Sequence, residues 1–358
     1  MAPVRGRPGV GFCLSLLASL AVVAWSMAAR AAEPLPKLAI DRSQISVSGV
    51  SSGGYMATQM LVAHSATVMG AGVLAAGPWF CAGTSFPWNA VTVFARCMNL
   101  PDLLPFLGAP DIAPMVEETQ TQARAGRIDD PSHLRGARLY LFSGADDALV
   151  PRPVVDALKA YYLHFVGADH IRYETAINAN HAMITADFGN PCTAFTAPFV
   201  NNCQYDAAGN ILQQIYGPLL PPVEPAGTLV AFDQRPFFAP QQQTGRAEDG
   251  YAYIPKACAA GDCRLHVAFH GCGQNAAEVG DAFYRHAGYN QWADANRIVV
   301  LYPQTTAITT RVLGLTLPWP NPQACWDWWG FTGSDYYLQS APQIHAIEAM
   351  IERLSAKN

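Results

Sequence analysis

The sequence predicts an α/β fold, a mostly parallel central sheet flanked by helices, and two features lead to it. Short runs rich in β-branched and aromatic residues recur along the chain, and helix-compatible stretches separate them. The chain is also long enough and apolar enough, at 358 residues and 51% hydrophobic, to bury a sheet on both faces within one large domain. A net charge of −5 and the lack of any basic run give no footing for a nucleic-acid partner.

The first strand, Ile45-Ser46-Val47-Ser48, ends at Gly49, and Tyr55 to His64 follows with Met56, Met60 and Leu61 at helical spacing. Val68–Leu74, Leu139–Phe142 and Ile171–Ile177 are further strands, with a helix over Val154–Val166. Tyr251–Ile254, Leu265–Phe269 and Ile298–Tyr302 are strands of the second half. Ile344, Ile347, Ile351 and Leu354 mark one face of a closing helix over Ser340–Leu354. Between the halves, Gly217–Gly250 holds Pro218, Pro221, Pro222, Pro225, Pro236 and Pro240 and three glutamines from Gln241. That proline density disfavours helix and central strand, so the stretch reads as a surface connection inside one domain.

Residues 1–31 read as a signal peptide. Arg5 and Arg7 precede an apolar stretch from Val10 to Trp25, and Ala29-Arg30-Ala31 supplies the small residues of a cleavage site. The apolar core is short for the alternative, a membrane anchor, and no other segment would span a bilayer. Removing the leader removes Cys13 and leaves Cys81, Cys97, Cys192, Cys203, Cys258, Cys263, Cys272 and Cys325. An even set in an exported protein reads as disulfides, and the protein is expected to be secreted or periplasmic. Sequence leaves the connectivity open. Nearness suggests Cys81–Cys97, Cys192–Cys203 and Cys258–Cys263, which leaves Cys272–Cys325. The paired Cys-x-x-Cys or His-x-x-x-His spacing of a zinc site does not occur, so no metal is expected.

Gly49-Val50-Ser51-Ser52-Gly53 fits Gly-x-Ser-x-Gly between a strand and a helix. A sharp turn there strains the middle residue, exposes its hydroxyl and needs nearly side-chain-free neighbours, which Gly49, Gly53 and Gly54 provide. Ser51 is the predicted nucleophile. It needs a base, and the base an orienting acid, at the ends of later strands. The exit of Leu139–Phe142 carries Asp146 and Asp147; the register before Val150-Pro151 selects Asp147, with Asp146 the alternative. His181 follows the next strand, whereas His133, His164 and His170 do not occupy that position.

Two N–H groups must face the oxyanion. Ser52 offers one. The other usually comes from a His-Gly loop on an earlier strand, yet little chain precedes Ser51 once the leader is gone. The motif lies downstream, after Leu265–Phe269, as His270-Gly271-Cys272-Gly273-Gln274. The simplest account is circular permutation, with Cys272 as the second donor and His270 ordering the loop. Four of the eight tryptophans, Trp319, Trp326, Trp328 and Trp329, cluster among Pro318, Pro320 and Pro322. They read either as a loop-rich patch of core or as an apolar wall of a substrate cleft.

Three segments together resemble the circularly permuted, single-domain poly(3-hydroxybutyrate) depolymerases of the α/β-hydrolase superfamily. They are Ser48 to Ala57, Phe269 to Gln274, and Cys325-Trp326-Asp327-Trp328-Trp329-Gly330. The resemblance implies one catalytic domain over 32–358 and hydrolysis of the polyester or its oligomers through an acyl-enzyme on Ser51. His181 would be base and then acid, Asp147 its orienting partner, and Ser52 and Cys272 the oxyanion donors. Trp328 and Trp329 would line the cleft. No cofactor is implied, and a monomer is expected. Many extracellular members carry a further polymer-binding domain that this chain is not expected to have, which favours amorphous polymer or soluble oligomers. Two other functions fit the same residues: a secreted feruloyl or acetyl-xylan esterase, and a non-catalytic binding protein on the same scaffold.

Overall fold

The computed structural model describes residues 32–357 except 85–86, 101–102, 240–243 and 313–314, and the backbone alone over the rest of 310–319. The leader, the glutamines from Gln241 and the Trp319 side chain therefore lie outside the described residues. From Ala32 onward the chain forms one compact unit.

In chain order the strands are β1 (Glu33–Pro34), β2 (Ile45–Val50), β3 (Val68–Leu74), β4 (Arg138–Phe142), β5 (Ile171–Glu174), β6 (Met183–Thr185), β7 (Asn190–Pro191), β8 (Val200–Asn202), β9 (Thr228–Asp233), β10 (Asp249–Ile254), β11 (Arg264–Phe269), β12 (Ile298–Tyr302), β13 (Ile308–Val312) and β14 (Leu315–Asn321). The main sheet runs β1-β9-β10-β12-β11-β2-β3-β4-β5. It is parallel from β12 through β5, with β10 antiparallel to both neighbours. Strand β2 is thus flanked by β3, next in the chain, and by β11, from the C-terminal half. A parallel sheet must be covered on both faces, and alternate residues do feed two cores. Val299 and Leu301 of β12 point into one, and Ile298, Val300 and Tyr302 into the other.

The first core receives the helix Ser52–Ala63, every residue of which is buried, and the closing helix Pro342–Ser355. The four predicted positions Ile344, Ile347, Ile351 and Leu354 are all fully buried, each contributing roughly 1.5–3 kcal/mol of hydrophobic stabilisation. Helices Ala207–Tyr216 and Tyr289–Asn296 cover the other face.

Two expectations need correction. The predicted strand Ile171–Ile177 stops at Glu174, so the loop bearing His181 begins earlier. The proline-rich stretch also contains a sheet strand: β9 pairs with β10 and with β1. The prolines flank it instead of interrupting it, because Thr228–Asp233 lies in a proline-free window between Pro225 and Pro236.

A buried polar network pins β2 to β11. His266 Nδ1 lies 2.7 Å from Ser46 Oγ and its Nε2 2.7 Å from Ser48 Oγ, while Ser48 Oγ also meets Tyr289 Oη at 2.7 Å. Burial pushes the His266 pKa from 6.5 down to about 3, and that of buried His270 down to about 4. Both stay neutral when folded, whereas the unfolded chain takes up these protons below pH 6.5. The unfolded state then binds more protons, so stability falls as pH drops from 6.5 towards 4. The melting temperature should fall over that interval, and His266→Asn should flatten the slope; an unaltered slope would remove His266 from the dependence.

Candidate active site

Ser51 sits between β2 and the helix Ser52–Ala63 with φ 58° and ψ −125°, a region that residues with a side chain rarely enter. Its N–H is held by the Leu74 carbonyl of β3 at 2.9 Å, and its carbonyl accepts from the Tyr55 N–H at 3.0 Å. Strand and helix meet closely enough here to dictate glycine. A Cβ on Gly49 would lie 2.3 Å from the Gly53 carbonyl, and one on Gly53 would lie 2.3 Å from Phe269 O. The second contact joins the helix start to the end of β11, so the turn and the His270–Gln274 loop are neighbours by necessity.

Past β4, Asp147 turns inward with its side chain buried. Its Oδ1 accepts from the Leu149 and Val150 N–H groups at 3.0 and 2.9 Å, and its Oδ2 lies 2.9 Å from His181 Nδ1. Asp146 faces solvent, its N–H spent on the Ala179 carbonyl. A carboxylate on Nδ1 fixes the Nδ1–H tautomer and leaves Nε2 as an acceptor. Nε2 is buried and makes no hydrogen bond. Ser51 and His181 both line one cavity of about 430 Å³.

The loop after β11 is held from several sides. His270 Nδ1 donates to the Gly271 carbonyl at 2.7 Å, and His270 Nε2 accepts from the Thr305 N–H at 3.2 Å. Gly271 O and Cys272 N belong to one planar peptide, so holding the carbonyl aims the Cys272 N–H the opposite way. The flanking amides are committed elsewhere: Gly271 N–H to Gln274 Oε1 at 2.7 Å, and Gly273 N–H to Gln323 O at 2.6 Å. Cys272 itself lines the cavity.

The four disulfides are Cys81–Cys97, Cys192–Cys203, Cys258–Cys263 and Cys272–Cys325. The last ties the loop to the tryptophan segment. There Trp326 is core, packed on Phe269 and His270 at 5.1 and 5.6 Å between ring centroids. Trp328 and Trp329 line the cavity, and Trp328 stacks on Tyr55 at 4.1 Å. The prolines of the segment lie in or beside the two-stranded hairpin β13–β14, apart from the main sheet.

Sequence reasoning passed over Asp327. It is buried, and its carboxylate accepts from the N–H groups of Trp329, Gly330, Phe331 and Thr332 and from the Thr332 hydroxyl. One side chain thus folds the loop that presents Trp328 and Trp329. Burial raises its pKa, against the pull of those donors. An aspartate inside a tryptophan run, among residues that otherwise shun charge, was the available signal. Among the described residues no cluster of His, Cys, Asp or Glu could hold a metal ion, and no helix is long and apolar enough to cross a membrane.

The sheet order, the strained strand-to-helix turn and the serine, imidazole and carboxylate set at strand ends define an α/β-hydrolase. No family model matches the chain. It is 43% identical to a poly(3-hydroxybutyrate) depolymerase of Delftia acidovorans over 91% of this chain, a match that spans 62% of the Delftia protein's own length. It is 33% identical to a polyhydroxybutyrate depolymerase of Talaromyces funiculosus, covering 93% of this chain and 96% of that protein. The crystal structure of the PHB depolymerase from Penicillium funiculosum matches with a TM-score of 0.78 at 32% identity, over 90% of this chain and 98% of the other. A PHB depolymerase complexed with R3HB trimer matches equally well, with a TM-score of 0.79 at the same identity and coverage. The chain belongs to the poly(3-hydroxybutyrate) depolymerase family.

Asp327→Ala should take the acceptor from four N–H groups and the Thr332 hydroxyl at once, the buried Gly330 N–H alone costing about 1–3 kcal/mol. The expected result is a clear drop in melting temperature and loss of the Tyr55–Trp328 stack, read by tryptophan fluorescence; an unchanged spectrum and melt would refute the anchoring role.

Proposed function

We propose that the chain is an exported serine esterase that hydrolyses poly(3-hydroxybutyrate) or its oligomers through an acyl-enzyme on Ser51. The observation that carries this reading is the Asp147–His181 pair at 2.9 Å, with His181 and Ser51 opening onto one apolar cavity, in a member of this family. The relative solved with an R3HB trimer supports an oligoester as the occupant.

In this mechanism His181 Nε2 takes the Ser51 proton as Oγ attacks the ester carbonyl, and Asp147 stabilises the imidazolium. Nε2 has no other hydrogen-bond partner and shares the cavity with Ser51; such bonds are often long before substrate binds and tighten with it. The Ser52 and Cys272 N–H groups receive the oxyanion. His181 then protonates the leaving alcohol, and water, activated by the same imidazole, releases the acid. Trp328 and Trp329 form the apolar wall against the polyester's methyl and methylene groups. Four disulfides support export, since such bonds persist in oxidising compartments. A strand order in which β11, from the C-terminal half, lies beside β2 supports a permuted single domain.

Ser51→Ala and His181→Ala should each lower turnover by as much as ~10⁶ while leaving the fold intact. Asp147→Asn should cost about 10⁴, through the wrong imidazole tautomer, and Asp146→Asn almost nothing; the reverse order would move the acid to Asp146. The deciding experiment supplies amorphous polymer and a soluble trimer and measures release of 3-hydroxybutyrate. Release of ferulate or acetate from xylan instead would make the chain a carbohydrate esterase, and no fluorophosphonate label on Ser51 would make it a binding protein.

A further inference from the structure

Gln274 closes the His-Gly loop motif, and the mechanism above gives it no part. It is buried at 2% exposure and lines the cavity. Its carboxamide uses both ends. Oε1 accepts from the Gly271 N–H at 2.7 Å, and Nε2 donates to the Phe199 carbonyl at 2.6 Å and towards that of Pro198 at 3.3 Å. An N–H on one side and two carbonyls on the other fix the orientation of the amide.

The Phe199 carbonyl is the point that matters. It also accepts from the Met183 N–H at 2.8 Å, two residues beyond His181, while on the near side of His181 the Asn180 N–H bonds the Cys192 carbonyl at 3.0 Å. His181 is therefore bracketed by two backbone bonds to the segment that runs from Cys192 to Phe199. The Cys192–Cys203 disulfide closes that segment, and Phe195 packs its ring edge-on to His181 at 6.0 Å. At its other end Gln274 grips the N–H of Gly271, the residue whose carbonyl shares a peptide plane with the Cys272 N–H. A single side chain joins the loop that supplies the oxyanion donor to the segment that brackets the base.

We propose that Gln274 is a positioning residue that holds the Cys272 amide and the His181 imidazole in register across the cleft. The proposal rests on the roles given to those two groups under the proposed function. Only a side chain with a donor and an acceptor on one planar terminus can do this at that length. Glutamate keeps the acceptor for Gly271 but sets a carboxylate oxygen against the Phe199 carbonyl; leucine keeps the bulk and loses both bonds.

The test compares Gln274→Leu and Gln274→Glu with the wild-type protein on a small soluble ester and on the trimer. Loss of register should lower kcat roughly 10–100-fold with KM nearly unchanged. Affinity for a boronic acid, which mimics the tetrahedral oxyanion, should weaken by the same factor. For Gln274→Glu the deficit relative to wild type should narrow as pH falls, because a protonated carboxyl regains a donor for Phe199. A side chain that merely fills buried hydrogen bonds would lower the melting temperature and leave kcat, boronate affinity and pH profile as they were; that result overturns the proposal. If the leucine variant does not fold, the nearly isosteric glutamate variant decides. Ser51→Ala is measured alongside: full activity there would sink the esterase reading itself, whereas normal Gln274 variants beside a dead Ser51→Ala would sink this inference alone.

Discussion

A non-glycine residue held at φ 58° is the constraint around which the molecule is arranged. Ser51 can occupy that conformation because the packing around it leaves no alternative: the Leu74 carbonyl of β3 fixes its N–H, Gly49 touches Gly53, and Gly53 touches the end of β11. Strain of this kind costs about 1–3 kcal/mol and survives only where the surroundings overdetermine it. Three strands and a wholly buried helix do so here. The same crowding brings the His270–Gln274 loop against the turn, so the hydroxyl and the loop amides are positioned by one set of contacts.

Polar side chains then secure what the sheet brings together. Asp147 spends one oxygen on two backbone N–H groups and the other on His181, which orients the imidazole without leaving an unpaired charge. His270 fixes the peptide plane of Gly271, and Asp327 folds the tryptophan loop from within. Each is a buried group that hydrogen-bonds backbone, which locks loops that hydrophobic packing alone would leave with several arrangements. The Cys272–Cys325 bond joins two of these loops covalently.

The sheet was largely legible because its strands are buried on both faces and read as compact apolar runs; Val68–Leu74 and Ile298–Tyr302 have the predicted bounds. Strand β9 escaped notice because the proline content of its surroundings outweighed its own proline-free core. The helices Ala113–Arg124 and Ala207–Tyr216 were also missed. The first has few buried positions and so little periodicity; the second carries glycine and asparagine near its start, held by an Asp206 cap that accepts from Gly209. At the site, Ser51, Asp147 and His181 each follow a strand end, a local pattern that sequence displays. Gln274 reaches the backbone of the distant Phe199 segment, a partner that nothing in its own neighbourhood announces, whereas Asp327 folds its own loop and left only the trace of a charge inside a tryptophan run. Residue pattern alone did not sort the tryptophans, since Trp326 and Trp328 are two residues apart and diverge into core and cleft; only the family resemblance pointed to Trp328 and Trp329.

The N–H groups of Leu38 and Ile40 both bond the Leu354 carbonyl, and the Ala39 N–H bonds that of Ala356. The stretch Leu38–Ile40 and the last turn of the closing helix are therefore stitched side by side, while Leu219 to Ala226 runs over the outside between the two halves. A gene rearranged so that a short peptide bridges residues 356 and 38, with new ends opened in that outer run, would give up the two-residue β1 but keep every strand neighbour from β9 to β5, and would place β9–β12 ahead of β2 in the chain.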